Sequence, residues 1–437
     1  MTNPEPSSDR RGIRLPLYLQ ILIALVFAVG VGIWFGAGTY DPAHEALINN
    51  LAIPCELVLK ALRALATPLI LLAVLHAFLT TDIPGTAGRK LTWLLLTNTL
   101  MAILIGLLVA NVLQPGTWGQ VTLTSSSAEA TTKSFDPWQL LRDTVPESVL
   151  KPLVNNDVIQ LIFVALAFGI ALRAIKSTQI ARGHADYLSI QHIITTLFEA
   201  VIRILHWIIL LVPIAVFGIV ARTIALKGFA PFQALGGLVV AVLVALCLQA
   251  LYYLLRVRLG SWVSPGRFLR GGSDALFTAF STASSTVTMP ITFEALLEKV
   301  GLRESSASLG ALVGSNFNND GTALYEAMAA LFVAQILGIK LALPQQLLVV
   351  LTSIFASVGA AGIPEAGLVT MTLVFSSVGL PTEYIALLIT VDWFLDRCRT
   401  AINVMGDMTV SCLLDGKQPK LAAEPFIEEA LAPETEV

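Results

Sequence analysis

Asp392, Asp396, Arg399, Asn403 and Asp407 follow one another at steps of four, three, four and four. At about 3.6 residues per turn this spacing stacks all five on one face of a helix. The surrounding segment is apolar, and ionisable groups in such segments face the protein interior or water. One reading is a self-neutralising ladder, with Asp396 and Arg399 paired one turn apart. That leaves Asn403 and Asp407 on the same stripe without a reason. Three Asp against one Arg leave negative charge suited to cations, and hard cations take oxygen ligands. Asn403, Asp407, Asn318 and Asp320 supply such oxygens. Arg399 offers a planar fork that fits a carboxylate. Asp396 offers a partner for an ammonium. Together they describe a site for an amino acid with an extra carboxylate, bound with cations.

Three more polar clusters lie in the second half of the chain. Gly314-Ser315-Asn316-Phe317-Asn318-Asn319-Asp320-Gly321-Thr322 interrupts an otherwise apolar helical pattern. Asn and Asp compete with helix hydrogen bonds and Gly weakens them, so the helix is expected to unwind there. Unwound backbone exposes carbonyls and half-helix ends to ions and anionic groups. Asn side chains gluing helices together would account for one Asn, not for this density. Ser281-Thr282-Ala283-Ser284-Ser285-Thr286-Val287-Thr288-Met289-Pro290 stands between apolar stretches too short to span a bilayer. It reads as the tip of a re-entrant hairpin, which survives only against protein or a water-filled cavity. A Ser/Thr-rich connection between full spans is the alternative. Ser357-Val358-Gly359-Ala360-Ala361-Gly362-Ile363-Pro364-Glu365-Ala366-Gly367 mirrors it as a second hairpin, rich in small residues that suit a gate. Two interrupted segments in corresponding positions point to a site between them.

These residues need a membrane-embedded body. Of 437 residues, 55% are hydrophobic and 13% charged, about half the charge of an average soluble domain. That excludes a disordered chain, a nucleic-acid binder and an ordinary soluble enzyme. Leu15–Tyr40, Ala64–Thr81, Leu91–Gln114, Asp157–Leu172, Ile204–Ala221 and Gly228–Leu255 are the expected spans of the first half. The first is too long for a cleavable signal peptide. Arg89, Lys90, Arg173, Lys176, Arg182, Arg256, Arg258, Arg267, Arg270, Lys417 and Lys420 fall in alternate connections. The positive-inside rule puts them, and both termini, in the cytoplasm. The polar 117–133 stretch then faces outside. The chain holds no N-x-[ST] acceptor, which points to a prokaryotic source and so to the plasma membrane, the inner one if bacterial. Cys55, Cys247, Cys398 and Cys412, with no C-x-x-C spacing, read as buried apolar groups, and His76 and His206 as core residues.

With these motifs in this order, the chain resembles the dicarboxylate/amino acid:cation symporters. That family holds the excitatory amino acid (glutamate) transporters and their prokaryotic aspartate-transporting relatives. The resemblance runs from about Leu15 to Cys412. It is strongest in Asn318–Glu326, in Ala360-Ala361-Gly362-Ile363-Pro364 and in Asp392–Thr400. It implies an all-α polytopic membrane protein with eight transmembrane helices and two re-entrant helical hairpins. It also implies a homotrimer in lipid, working as an elevator. The implied division is a cytoplasmic N-terminus (1–14), scaffold helices 1–2 (15–87) and transport-domain helix 3 (88–116). An extracellular loop with scaffold helices 4–5 follows (117–227), then the rest of the transport domain (228–415) and a cytoplasmic tail (416–437).

The resemblance also implies site residues. Substrate contacts carried over are Ser284 and Ser285, Thr322, Ile363, Asp396 for the amino group, Arg399 for the side-chain carboxylate, Thr400 and Asn403. Relatives that move neutral amino acids lack the Arg, and those that move plain four-carbon dicarboxylates lack the Asp. One sodium site would use Gly314, Asn318, Asn403 and Asp407. A deep one would use Asn318 and Asp320 with Asn98 and Thr99, where Asn98 stands for the family's Thr and Leu95 for its Tyr. Near the second hairpin Asn316 replaces a Thr and Asn319 a Met, and Ser357 counts among the cation ligands. Glu326 sits where animal glutamate transporters carry their proton. Arg397 matches an Arg of theirs and is expected to tune the site, while Ala283 lacks the hairpin Arg of some archaeal relatives. The expected activity is secondary symport of L-glutamate or L-aspartate with sodium, a proton as second coupling ion and no organic cofactor. The alternative is a proton-coupled, sodium-independent transporter of acidic amino acids or dicarboxylates. A channel would need a repeated selectivity filter. An enzyme would need a His base near the Ser cluster or a G-x-S-x-G elbow, and neither is present in the sequence.

Overall fold

The computed structural model describes residues 17–80, 85–118, 145–155, 158–359, 362 and 366–418. Ile363, Ala360, most of the polar 117–133 stretch and both chain ends lie outside the described residues. The described residues form helices and no strands.

The first half contributes α1 (Leu17–Trp34), α2 (Ile53–Thr80), α3 (Gly85–Leu113), α4 (Val158–Ala181), α5 (Tyr187–Ile209), α6 (Val212–Lys227) and α7 (Ala230–Gly260). Several boundaries differ from the hydropathy reading. α2 begins at Ile53 rather than Ala64, so Glu56, Lys60 and Arg63 lie on it. The expected Ile204–Ala221 span is two helices, broken at Leu210 and Leu211 just before Pro213. Proline is best tolerated in the first turn of a helix, so the break falls where the missing N–H of Pro213 costs nothing. Most of α5 lies outside the hydropathy spans because its apolar residues gather on one helix face, interspersed in sequence with polar ones, rather than forming a run. By length and apolarity α2, α3, α4, α5 and α7 can cross a membrane. Phe27, Trp34, Leu108, Trp207 and Leu251 are exposed on helices of this half, as a lipid-facing surface requires.

Charges read as loop residues sit on helices. Lys90 is in α3 and its Nζ donates to the Leu413 carbonyl at 2.9 Å. Lys176 is in α4 and donates to the Leu79 carbonyl at 2.7 Å. Cations near the ends of helices satisfy carbonyls left without an intrahelical partner. Arg256 and Arg258 lie inside α7. Cys247 and His206 are exposed rather than core, whereas His76 stacks on Phe198 with ring centres 4.9 Å apart.

The second half is built from interrupted helices. α8 (Pro265–Thr282) and α9 (Ser285–Glu294) form one hairpin, and α11 (Leu343–Gly359) and α12 (Ala366–Ser377) pack as a second. Between them a helical path over 304–317 stops at Asn318 and Asn319, and α10 (Asp320–Ile336) resumes. The break is where the Asn-Asn-Asp run predicts it. Every residue of α10 except Gln335 is buried. A helix buried all round belongs at the centre of a body, and α10 packs on α3, α7, α11, α12 and the last long helix. α13 (Ile385–Asp415) runs unbroken for 31 residues, about 46 Å at 1.5 Å per residue, and carries the polar stripe.

Candidate functional site

The stripe on α13 is buried along its length. Asp392, Asp396, Arg399, Thr400, Asn403 and Asp407 all face the interior. Arg399 is fully buried, and its Nη2 lies 2.9 Å from both Asp392 Oδ1 and Asp396 Oδ1. The Asp396–Arg399 pair of the ladder reading therefore exists, with Asp392 as a second partner from the previous turn. The guanidinium carbon stands 4.2 Å from the centre of the Tyr325 ring, a close cation–π stack. Among the described residues Nε and Nη1 of Arg399 have no hydrogen-bond partner. A buried charged donor left so is costly unless something accepts from it. A Cβ built on Gly367 would stand 3.4 Å from Nη1, so the start of α12 covers that edge of the fork.

The two hairpins meet at Gly362. α8 closes with Ala283 in the left-handed region, φ 52°. Ser284 then caps α9, its Oγ accepting from Val287 N at 3.2 Å. The same hydroxyl donates to the Gly362 carbonyl at 2.6 Å, and Thr286 N donates to that carbonyl at 3.1 Å. Ser285 Oγ donates to the Ser315 carbonyl at 3.1 Å. Arg397 lies off the stripe and holds the first hairpin from the other side, its Nη1 donating to the carbonyls of Phe280 (3.1 Å) and Ser281.

Asn403 ties the stripe to the broken helix. Its Oδ1 accepts from Gly321 N at 2.7 Å, and its Nδ2 lies 3.4 Å from both Asn319 Oδ1 and Thr322 Oγ1. Gly321 is required there, since a Cβ would lie 2.6 Å from the Arg399 carbonyl. Thr400 donates to the Asp396 carbonyl at 2.8 Å. Asn319 Nδ2 donates to the Ser357 carbonyl at 3.0 Å, linking the break to the second hairpin. Ser357 Oγ bonds back to Ile354 O, and Asn316 Nδ2 to Leu312 O, each within its own helix. Those two side chains are not brought onto the α13 stripe by these bonds.

Two oxygen sets lie deeper. In the first, Asn318 Nδ2 donates to Asp407 Oδ1 at 3.1 Å and to the Asn403 carbonyl at 3.3 Å, while Asn318 Oδ1 is buried without a partner. Gly314 lets the strands of this knot close up, because a Cβ would lie 2.4 Å from Asp407 Oδ1. In the second, Asp320 accepts from Thr99 Oγ1 at 2.6 Å and from Tyr253 Oη. Asn98 Oδ1 accepts from Arg256 Nη1. Glu326 is fully buried. It takes a bond from Thr370 Oγ1 at one carboxyl oxygen, and the other has no partner.

Tyr325, Gly367, Tyr253 and Arg256 have no role at the site in the sequence reading, and Asp392 is on its stripe without a role of its own. Asp392 was on the predicted stripe and Tyr325 adjoined the Asn-rich motif, so both carried a signal. Tyr253 and Arg256 carried none, since Tyr253 reads as an ordinary residue of a long apolar helix and Arg256 as a charge in a cytoplasmic connection.

Comparison with known proteins agrees with this architecture. The sequence pattern of the sodium:dicarboxylate symporter family matches residues 17–417. The chain is similar to the proton/glutamate-aspartate symporter of Escherichia coli (strain K12), 28% identical over 410 residues covering 91% of this chain and 92% of that protein. It is similar to human excitatory amino acid transporter 3, 28% identical over 455 residues covering 91% of this chain and 86% of that one. It is also similar to the C4-dicarboxylate transport protein of Acidovorax sp. (strain JS42), 27% identical over 436 residues covering 96% and 92%. Because the family match extends from the first described helix to the end of the last, the chain belongs to the sodium:dicarboxylate symporter family and is a membrane transporter, not an enzyme.

Proposed function

We propose that this chain is a secondary active symporter of L-glutamate or L-aspartate, coupled to sodium with a proton as second coupling ion. The observation that carries this reading is the Arg399 fork. Its Nη2 is held by Asp392 and Asp396, and its Nε and Nη1 are left without partners. A carboxylate accepts from such a fork, and Asp396 beside it takes an ammonium. A plain dicarboxylate has no ammonium and would place a second carboxylate near Asp396. That favours an amino acid over the substrate named for the Acidovorax relative. Substrate contacts are Asp396, Arg399, Thr400, Asn403, Thr322, Ser284, Ser285 and Ile363.

Cation coupling follows from shared groups. Asn403 and Asn318 serve both the substrate face and the Asp407 oxygen set. Among the described residues no basic side chain pairs with Asp407, so a cation there offsets its charge and fixes Asn403 for substrate. Gly314, Asn318, Asn403 and Asp407 form one sodium site. Asn98, Thr99, Asn318 and Asp320 form the deep oxygen set, and Asn316 and Ser357 flank the second hairpin. Glu326 carries the proton. For the motion, α1, α2, α4, α5 and α6 act as a trimeric scaffold, and α3 with α7 to α13 as the moving body. The packing of α2 on α4, α5 and α6, and of α10 on α3, α7 and α13, supports that division.

A second reading, proton coupling without sodium, is favoured by the buried Glu326 carboxyl. Radiolabelled aspartate and glutamate uptake into proteoliposomes separates the two. Accumulation on a sodium gradient alone supports sodium coupling. Accumulation only on a proton gradient replaces it with the second reading. No accumulation of either amino acid under any gradient overturns both.

A further inference from the structure

Arg256 was expected among cytoplasmic loop charges. Instead it points from α7 into the oxygen groups of α3. Its Nη1 donates to Asn98 Oδ1 and, at 3.2 Å, to Thr97 Oγ1. The neighbouring Tyr252 ring lies 5.6 Å from its guanidinium carbon. Less than one turn earlier on the same helix, Tyr253 donates to Asp320, whose other oxygen accepts from Thr99 at 2.6 Å. The two α7 side chains thus reach into one cluster. It comprises the Thr97 and Thr99 hydroxyls, the Asn98 amide and the Asp320 carboxylate.

Asp320 is fully buried, and a buried carboxylate needs a compensating charge. Among the described residues no basic group touches it directly, and Arg256 stands one residue removed, on the Asn98 amide beside the Thr99 that bonds Asp320. An arginine is always charged and brings a fork that can hold an amide and a hydroxyl together. A small cation entering this cluster would need the Asn98 oxygen that the guanidinium already holds. It would also stand beside a fixed positive charge where the dielectric is low.

We propose that Arg256 is the built-in counter-cation of the Asp320 oxygen set and keeps sodium out of it. The chain then binds one sodium fewer than its oxygen groups alone would take. This rests on the sodium-coupled reading above only in naming the ion; the test needs no substrate.

The experiment is equilibrium binding of radiosodium to the purified protein in lipid nanodiscs, with no amino acid present. Arg256→Gln is expected to bind one more sodium per protomer than the wild type. Arg256→Gln with Asp320→Asn loses that ion again, and Arg256→Lys, which keeps a cation on the same turn, matches the wild type. In Arg256→Ala, added guanidinium ion displaces the extra sodium. Equal counts in wild type and Arg256→Gln overturn the proposal. If the charge-removing variants do not fold, Asp320→Asn alone decides. An unchanged sodium count supports the proposal, and loss of one sodium overturns it. A failure here leaves aspartate uptake untouched, and a failure of uptake leaves this count readable.

Discussion

Arg399 is held on one side of its fork by two carboxylates and by an aromatic face, with the other side uncommitted. Arg399→Cys is expected to lower affinity for aspartate and glutamate at least about 100-fold, since a charge-assisted bidentate contact contributes about 3 kcal/mol. It also opens the site to neutral amino acids. Competition binding with unlabelled amino acids checks both, and unchanged aspartate affinity contradicts the role of Arg399. Asp396→Ser removes the ammonium partner and one of the two carboxylates on Arg399, so amino acid uptake is expected to fall to background. Retained glutamate uptake would assign the ammonium elsewhere. For Glu326→Gln the expected result is uptake whose rate no longer varies with pH, measured across a pH series at fixed membrane potential. A pH profile like that of the wild type removes Glu326 as the proton carrier.

At the scale of elements, the first hairpin depends on one strained turn. Ala283 holds φ 52° so that α8 can end and Ser284 can cap α9 at once. A non-glycine residue there costs about 1–2 kcal/mol. Ala283→Gly is expected to raise stability by about 0.5–1 kcal/mol, read as a higher midpoint in thermal unfolding in detergent. A lowered midpoint would mean that the Ala283 methyl packs better than the turn strains. The same turn aims the Ser284 hydroxyl at the Gly362 carbonyl, so it also fixes how the two tips meet.

For the whole molecule, the proposed motion carries α3 and α7 to α13 past α1, α2 and α4 to α6. Phe78 of α2 and Phe317 at the end of the broken helix meet edge to face across that boundary, ring centres 6.5 Å apart. In a background lacking the four native cysteines, Phe78→Cys with Phe317→Cys is expected to cross-link with a short bis-methanethiosulfonate reagent, which spans the gap left by the two rings. Uptake should stop while aspartate binding persists, and reductant should restore uptake. Uptake that continues in fully cross-linked protein rules out sliding at this boundary.

The residues from Asp392 to Asp407, the break at Asn318 and Asn319, and the places of the two hairpins were legible in the sequence, although α8 has 18 residues where Ala275–Phe280 reads as a half-length arm. Each rests on local physics: helical periodicity, residues that compete with helix hydrogen bonds, and apolar runs too short to span. Helix ends were less legible. The Leu210–Leu211 break and the early start of α2 depend on a single proline and on charges that snorkel from an apolar helix. Only the tertiary structure decided which partners the charges take. Arg256 finds Asn98 across 158 positions of sequence, and Tyr253 finds Asp320 across 67. Such pairings depend on how each helix is rotated about its axis against its neighbours, and no pattern within a single helix records that rotation.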